Sequence, residues 1–290
     1  MHRALLPLLD AGAWLLGRLP ARAVPVLGRV VARLGGPLLR RRRHIARANI
    51  DLCFPGLEAG ARAALVDDTL ADTATGVFEL VRAWHAPAAA FAGTTIEGLP
   101  RLHAALERGG VLLLGAHLTH TELAVRLIGE ALGRPLHALV RRHNDPVIEG
   151  WIERSRRRVL GGTIAKKDVR GLLRALQAGE PVAYLADQDF SYQHAFVPFF
   201  GVQAATMTAV PGLVARGRAT MLPFWSRRDA DGHFHIRIGP AWDGWPSGDP
   251  VRDAARYMAE LEAVVCEAPS QYLWVHRRFK TRPPGEPPVY

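Results

Sequence analysis

Two hydrophobic periods take turns along this chain. From residue 58 to 86, Leu65, Leu70, Val77, Leu80 and Val81 fall on one helical stripe and predict a long helix. The unbroken apolar run Val111 to Gly115 then reads as a buried strand. A helical pattern on Leu123, Leu127, Ile128 and Leu132 follows, stopped by Gly133 and Pro135. Further strands are predicted at 136–140, 181–186, 219–225 and 233–238, and further helices at 146–159, 169–178 and 250–267. Such alternation implies an α/β fold with a mixed, largely parallel sheet flanked by helices. Sites in these folds gather beyond the carboxyl ends of the strands. His117 and Asp187 each stand just past one.

Ahead of this pattern, Leu5, Leu6, Leu8, Leu9, Trp14, Leu15 and Leu16 make an apolar face interrupted by Asp10 and Arg18. The run is too short and too charged for a spanning helix, which needs about 20 apolar residues. No small-residue cleavage site follows a basic start, so it does not read as a secretory signal. A second apolar segment, Val24 to Leu39, carries Arg29 and Arg33 and runs into Arg40-Arg-Arg-Arg43-His44. An apolar helix joined to a basic cluster suits an interfacial anchor on an anionic leaflet. An amphipathic core helix with a solvated basic end would leave the same pattern. The expected division is an N-terminal hydrophobic helical anchor over 1–44 and an α/β domain over 45–290.

Charge adds to this picture. Among 290 residues, 37 Lys and Arg face 27 Asp and Glu, a formal net charge of +10, which favours an anionic partner. Nucleic acid is disfavoured, because the basic run lacks a reading motif and its apolar flanks suit lipid better. Cys53 and Cys266 lie far apart and form no disulfide framework, which fits a reducing compartment.

The candidate chemistry centres on His117 and Glu122, in Gly115-Ala-His-Leu-Thr-His-Thr-Glu122. Residues five apart on a regular helix point about 140° away from each other. The pair can meet only if His117 sits in the turn after the strand and Glu122 in the first turn of the next helix. A carboxylate there would orient the imidazole, raise its basicity and leave the other ring nitrogen to take a proton. Two other readings stay open from these residues. Thr119 and Glu122 spell a capping box, in which Glu122 satisfies a backbone N–H. His117, His120 and Glu122 could be metal ligands, although their spacing matches no defined motif. The chain contains no G-x-S-x-G elbow, no G-x-x-x-x-G-K-[ST] phosphate loop, and no dinucleotide fingerprint in Gly109, Gly110 and Gly115.

Several motifs in order carry a family resemblance over most of the chain. They begin with Asn49-Ile-Asp-Leu-Cys-Phe-Pro55 and the H-x4-E of His117 and Glu122. Arg141 and Asn144-Asp-Pro146 follow, then the basic helix with Arg154, Arg156, Arg157 and Arg158. Next come Asp187-Gln-Asp189, Phe196-Val-Pro-Phe-Phe-Gly201 and Ala204-Ala-Thr206. The last is Ala268-Pro-Ser-Gln-Tyr-Leu-Trp-Val-His-Arg-Arg-Phe-Lys-Thr-Arg-Pro283. This set resembles the bacterial late acyltransferases of lipid A biosynthesis, the lauroyl and myristoyl group.

The resemblance implies a glycerolipid-acyltransferase-like fold and transfer of a fatty acyl chain from acyl carrier protein to a lipid A precursor. The acceptor would be a hydroxyl on a 3-hydroxyacyl chain of the phosphorylated disaccharide. It also implies attachment to the cytoplasmic face of the bacterial inner membrane, where a basic protein meets an anionic membrane surface and an acidic carrier. His117 would be the general base, held in its tautomer by Glu122. From the 154–158 cluster, Arg156, with Arg154 beside it, would support the transition state, and Asp187 would anchor that arginine or hold substrate. Arg141 and Asn144 complete the expected substrate-binding set, with neither metal nor cofactor. Trp274, His276, Arg277 and Arg278 read as structural or phosphate-facing. The same transfer onto another glycolipid or aminolipid is the alternative within this chemistry. From another class, the alternative is a basic membrane- or nucleic-acid-binding module whose His–Glu pair is only a helix cap.

Overall fold

The computed structural model describes residues 6–290, so Leu5 of the N-terminal apolar face lies outside the described residues. Four helices open the fold: α1 (Leu6–Gly17), α2 (Ala23–Leu34), α3 (Gly36–Cys53) and α4 (Ala59–His85). The long helix expected over 58–86 is α4, and α1, α2 and α3 all pack against it. At Gly28 the approach of α2 to α4 is close enough that a Cβ would meet the Thr75 hydroxyl at 1.9 Å.

The strands and their helices follow. They are β1 (Thr95–Glu97), α5 (Leu99–Leu106), β2 (Val111–Gly115), α6 (Thr121–Leu132), β3 (His137–Val140) and α7 (Pro146–Arg156). Then come β4 (Gly162–Ala165), α8 (Val169–Gln177) and β5 (Pro181–Leu185). After the hairpin of β6 (His194–Phe199) and β7 (Val202–Met207) stand α9 (Val210–Gly217), β8 (Thr220–Arg228), β9 (Phe234–Ile238) and α10 (Pro250–Glu267). One sheet runs β1-β9-β8-β2-β5-β3-β4, parallel at every pairing except the antiparallel β8–β9. The mixed, largely parallel sheet flanked by helices is thus the one the alternation predicted.

Successive side chains of a strand point to opposite faces, and β2 buries both. Leu112 and Leu114 join the larger apolar core with Val182, Trp274 and Phe279. Val111 and Leu113 join the second core with Leu123, Ile128 and Phe234. A strand buried on both faces reads as an unbroken apolar run, which is how Val111–Gly115 appears in the sequence.

The N-terminal region departs from expectation in its layout. The segment Val24 to Leu39 is not one element, because the chain breaks at Gly35 and restarts with Pro37 in the first turn of α3. The expected boundary at residue 44 falls inside α3, which continues to Cys53. No helix of the described residues is long and apolar enough to cross a membrane. Large apolar side chains are nevertheless exposed on these helices, Leu34 at 81% and Leu38 at 90% among them.

Candidate active site

Sheet register builds the centre of the site. In the parallel pair β2–β5, Gly115 stands opposite Leu185. His117 and Asp187 lie two residues beyond those partners on their own chains. Since neighbouring strands run about 4.8 Å apart, the equal offset makes the two residues neighbours. Asp187 Oδ1 lies 2.7 Å from His117 Nδ1 and accepts the His117 backbone N–H at 3.0 Å.

Asp187 is only 1% exposed. Burial alone would raise its pKa, but the adjacent imidazole and the hydrogen bonds from His117 outweigh it and hold the carboxyl below its ordinary value. An ionised carboxylate only accepts, so Nδ1 must carry the donated proton and Nε2 keeps the lone pair. Nε2 has no protein partner among the described residues, and the ring lines two adjoining cavities. The buried Tyr272 hydroxyl reaches the same carboxylate, and burial first, then the Asp187 charge, keeps the phenol well above its usual pKa. Tyr257 donates to the Gly115 carbonyl at 2.7 Å and fixes the end of β2.

Glu122 occupies the expected first turn of α6, but its partner differs from the expected one. Its carboxylate accepts from Arg156 Nε and Nη2, both at 2.8 Å, and from Trp84 Nε1 at 2.6 Å. His117 is therefore oriented by Asp187, and the arginine expected on Asp187 is held by Glu122. The two carboxylates have exchanged roles. The physical reason is reach: Asp187 is placed by strand register beside His117, whereas Glu122 faces α7 and the end of α4. Burial would lower the pKa of Arg156, yet the Glu122 hydrogen bonds and charge raise it above its ordinary value. Nη1 of Arg156 makes no hydrogen bond among the described residues. Nothing in the sequence singles out Trp84 apart from its place near the end of a long helix.

The capping box does not form either. The N-cap of α6 is His120, whose side chain makes no cap hydrogen bond. Thr121 ties the loop instead, donating to the Ala116 carbonyl at 2.8 Å and accepting from the Leu118 N–H at 3.0 Å. His120 is 2% exposed and packs on Phe234, with ring centroids 5.4 Å apart. Burial pushes its pKa down to about 3. Among the described residues no group of three His, Cys, Asp or Glu could hold a metal ion, so His117, His120 and Glu122 do not converge as ligands.

The C-terminal motif clamps the loop that carries His117. Leu273 N donates to the His117 carbonyl at 3.1 Å, and Thr119 N donates to the Gln271 carbonyl at 2.9 Å. On the other side α4 presses in at Gly76, where a Cβ would lie 2.4 Å from the Thr119 carbonyl oxygen. Asn49, buried in α3, donates to the carbonyls of Trp274 at 2.6 Å and His276 at 2.8 Å. Arg278 donates to the Ala205 carbonyl at 2.8 Å and the Thr206 hydroxyl at 2.6 Å. Four stretches of the sequence signature thereby support one another.

A cavity of about 410 Å³ opens at His117, Glu122 and Arg156. Its far walls are apolar: Val77, Leu80, Val125, Leu139 and Leu185. Arg141 lines this cavity and also a smaller one of about 170 Å³ across the His117 ring, with Lys166 and Phe190. Arg154 and Asn144 are exposed and away from these walls, Asn144 in the turn that opens α7. Of the expected residues, the structure thus brings together His117, Glu122, Arg156, Asp187 and Arg141.

Residues 3–281 match the family model for bacterial lipid A biosynthesis acyltransferases. The lipid A biosynthesis palmitoleoyltransferase of Escherichia coli K12 is 34% identical over 284 residues, 96% of this chain and 91% of that protein. The lauroyltransferase of the same organism is 32% identical over 283 residues, 96% and 92% of the two chains. Its myristoyltransferase is 28% identical over 277 residues, 90% of this chain and 82% of that protein.

Proposed function

Since the chain belongs to the bacterial lipid A biosynthesis acyltransferases, we propose that it moves a fatty acyl chain from acyl carrier protein to a hydroxyl of a Kdo-bearing lipid A precursor, with His117 as general base. One observation carries the chemistry. A histidine is held through Nδ1 by a buried carboxylate at 2.7 Å, with Nε2 open at the mouth of an apolar cavity. An alcohol is a poor nucleophile at neutral pH, so its proton must leave as its oxygen attacks the thioester carbonyl. His117 Nε2 takes that proton, and Asp187 stabilises the imidazolium without accepting it. The new C–O bond gives a tetrahedral oxyanion. Arg156, locked by Glu122 and with Nη1 to spare, supplies a donor and a positive charge to it. As the C–S bond breaks, the imidazolium returns its proton to the departing sulfur.

The surroundings support the substrates. The apolar walls of the 410 Å³ cavity suit a hydrocarbon chain. The net charge of +10 suits an acidic carrier and a phosphorylated acceptor. The exposed apolar side chains of α1, α2 and α3, beside the arginines at 40–43, suit attachment to the cytoplasmic face of the inner membrane.

The test is mass spectrometry of a tetra-acylated, Kdo-bearing precursor incubated with acyl carrier protein charged with defined chains. The expected result is one added acyl mass with the wild type and none with His117→Ala. Transfer only to another lipid of a crude extract would leave the chemistry and replace the acceptor. No transfer to any lipid would overturn the reading.

A further inference from the structure

Three cavities adjoin in a row across the helical face of the molecule. The first is the 410 Å³ cavity at His117. It shares the wall residues Thr73, Val77 and Leu273 with a second, of about 600 Å³, whose other walls include Val31, Leu39, Leu70 and Phe78. This apolar groove in turn shares Arg42 and His276 with a third cavity of about 310 Å³. The third has a different character. Arg41, Arg42, Arg277 and Lys280 all line it, two from α3 and two from the C-terminal motif.

These four cations are not consumed by the fold. None of them forms a salt bridge among the described residues. Arg42 gives one hydrogen bond, from Nη1 to the Val275 carbonyl at 3.2 Å. Arg277 stacks toward the Tyr290 ring at 5.6 Å, and its buried Nε finds no partner. The one carboxylate in the wall, Asp189, is committed to Thr281, accepting its N–H at 2.9 Å and its hydroxyl at 3.1 Å. The imidazole of His276 accepts the Asp189 N–H through Nε2 at 3.3 Å. Hydrogen bonds from the neutral Thr281 leave Asp189 its one negative charge, so the four cations facing this hollow exceed it by three and favour a further anion between them.

We propose that Arg41, Arg42, Arg277 and Lys280 form a phosphate-binding subsite that holds a phosphate ester of the acceptor lipid. The acceptor's acyl chains then lie along the apolar groove toward His117. The proposal rests on the reading of the protein as an acyltransferase acting on a phosphorylated glycolipid. Guanidinium and ammonium groups match this chemistry, arginine by paired donors and lysine as a point charge. A phosphate of an anionic bilayer lipid offers the same chemistry, so the experiment must separate the two sources.

The test uses the full chain and the double variant Arg41→Gln/Lys280→Gln, both exposed positions whose side chains make no hydrogen bond among the described residues. Each is given the bis-phosphorylated acceptor and the same lipid with one phosphate removed by a lipid phosphatase, which leaves the sugars in place. The expected result is a rise in KM for the bis-phosphorylated lipid of at least about tenfold, as befits lost charge-assisted bonds. The preference for the phosphorylated acceptor should collapse. Equal losses on both acceptors, or no loss, overturn the subsite. A lost flotation on phosphatidylcholine vesicles containing phosphatidylglycerol, with the acceptor preference intact, assigns the anion to the bilayer and overturns it too. Equilibrium binding of the radiolabelled bis-phosphorylated lipid in the His117→Ala background needs no turnover. An affinity difference there with no acyl transfer by the wild type would sink the acyltransferase reading and keep the subsite.

Discussion

Asp187 takes two hydrogen bonds from one residue, His117, through its ring Nδ1 and through its backbone N–H. The double grip fixes both the position of the loop and the direction in which the imidazole points. Asp187→Asn keeps the volume but loses the charge that selects the tautomer. A fall in kcat of about 10²- to 10⁴-fold is expected, with the melting temperature nearly kept. Steady-state acyl transfer beside thermal unfolding checks it. A variant within threefold of the wild type would remove Asp187 from the mechanism.

In the proposed mechanism Glu122 acts through Arg156, so the two should fail together. Glu122→Gln and Arg156→Gln are each expected to cost about 10- to 100-fold in kcat, the scale of one lost oxyanion donor or its support. The double variant should be no worse than the poorer single one, because the pair works as a unit. Steady-state acyl transfer by the two single variants and the double variant checks it, and additive losses would separate Glu122 from Arg156.

His120 gives the stability a pH dependence with a defined sign. Burial depresses its folded pKa to about 3 from the ordinary 6.5. Between those values the unfolded chain binds a proton that the folded chain refuses. The stabilising contribution is complete above pH 6.5 and is lost as pH falls toward 3, by roughly 1 kcal/mol per pH unit. His120→Leu should flatten the fall in urea midpoint between pH 6.5 and 4. An unchanged slope would place the titration elsewhere.

Among the described residues Leu34 and Leu38 are the most exposed large apolar side chains, next to the arginines of α3. Leu34→Glu/Leu38→Glu should reduce flotation on vesicles containing phosphatidylglycerol by at least about tenfold, since two buried leucines are worth about 3 kcal/mol or more. Acyl transfer in detergent micelles should change little. Full flotation of the variant would move the lipid contact away from this face.

Much of the fold was legible because its strands are long or buried on both faces. Val111–Gly115 and Pro181–Leu185 are apolar throughout, and their ends pointed to His117 and Asp187. Thr95–Glu97 gives no such signal: three residues with mostly exposed side chains carry no hydrophobic period. The hairpin of β6 and β7 and the edge strand β4 also lie outside the strands that the sequence predicts. The residues of the site were legible from motif order, but their pairing was not. Which carboxylate meets His117 depends on β2 lying beside β5 in one particular register, and no spacing along the chain encodes that neighbour. The place of Glu122 in the first helical turn was readable, yet its partners Arg156 and Trp84 come from elements 34 and 38 residues away.

The missing side chain at residue 76 leaves α4 and the Thr119 carbonyl in direct backbone contact, with no flexible layer between them. A side chain can hop between rotamers and absorb a small displacement; two touching backbones transmit it. Any sliding of α4 along its axis would reach His117 almost undamped, two residues from the point of contact. In the proposed mechanism the precision of proton transfer is thus tied to how still one long helix is kept, and the three helices laid against α4 serve as its bearings.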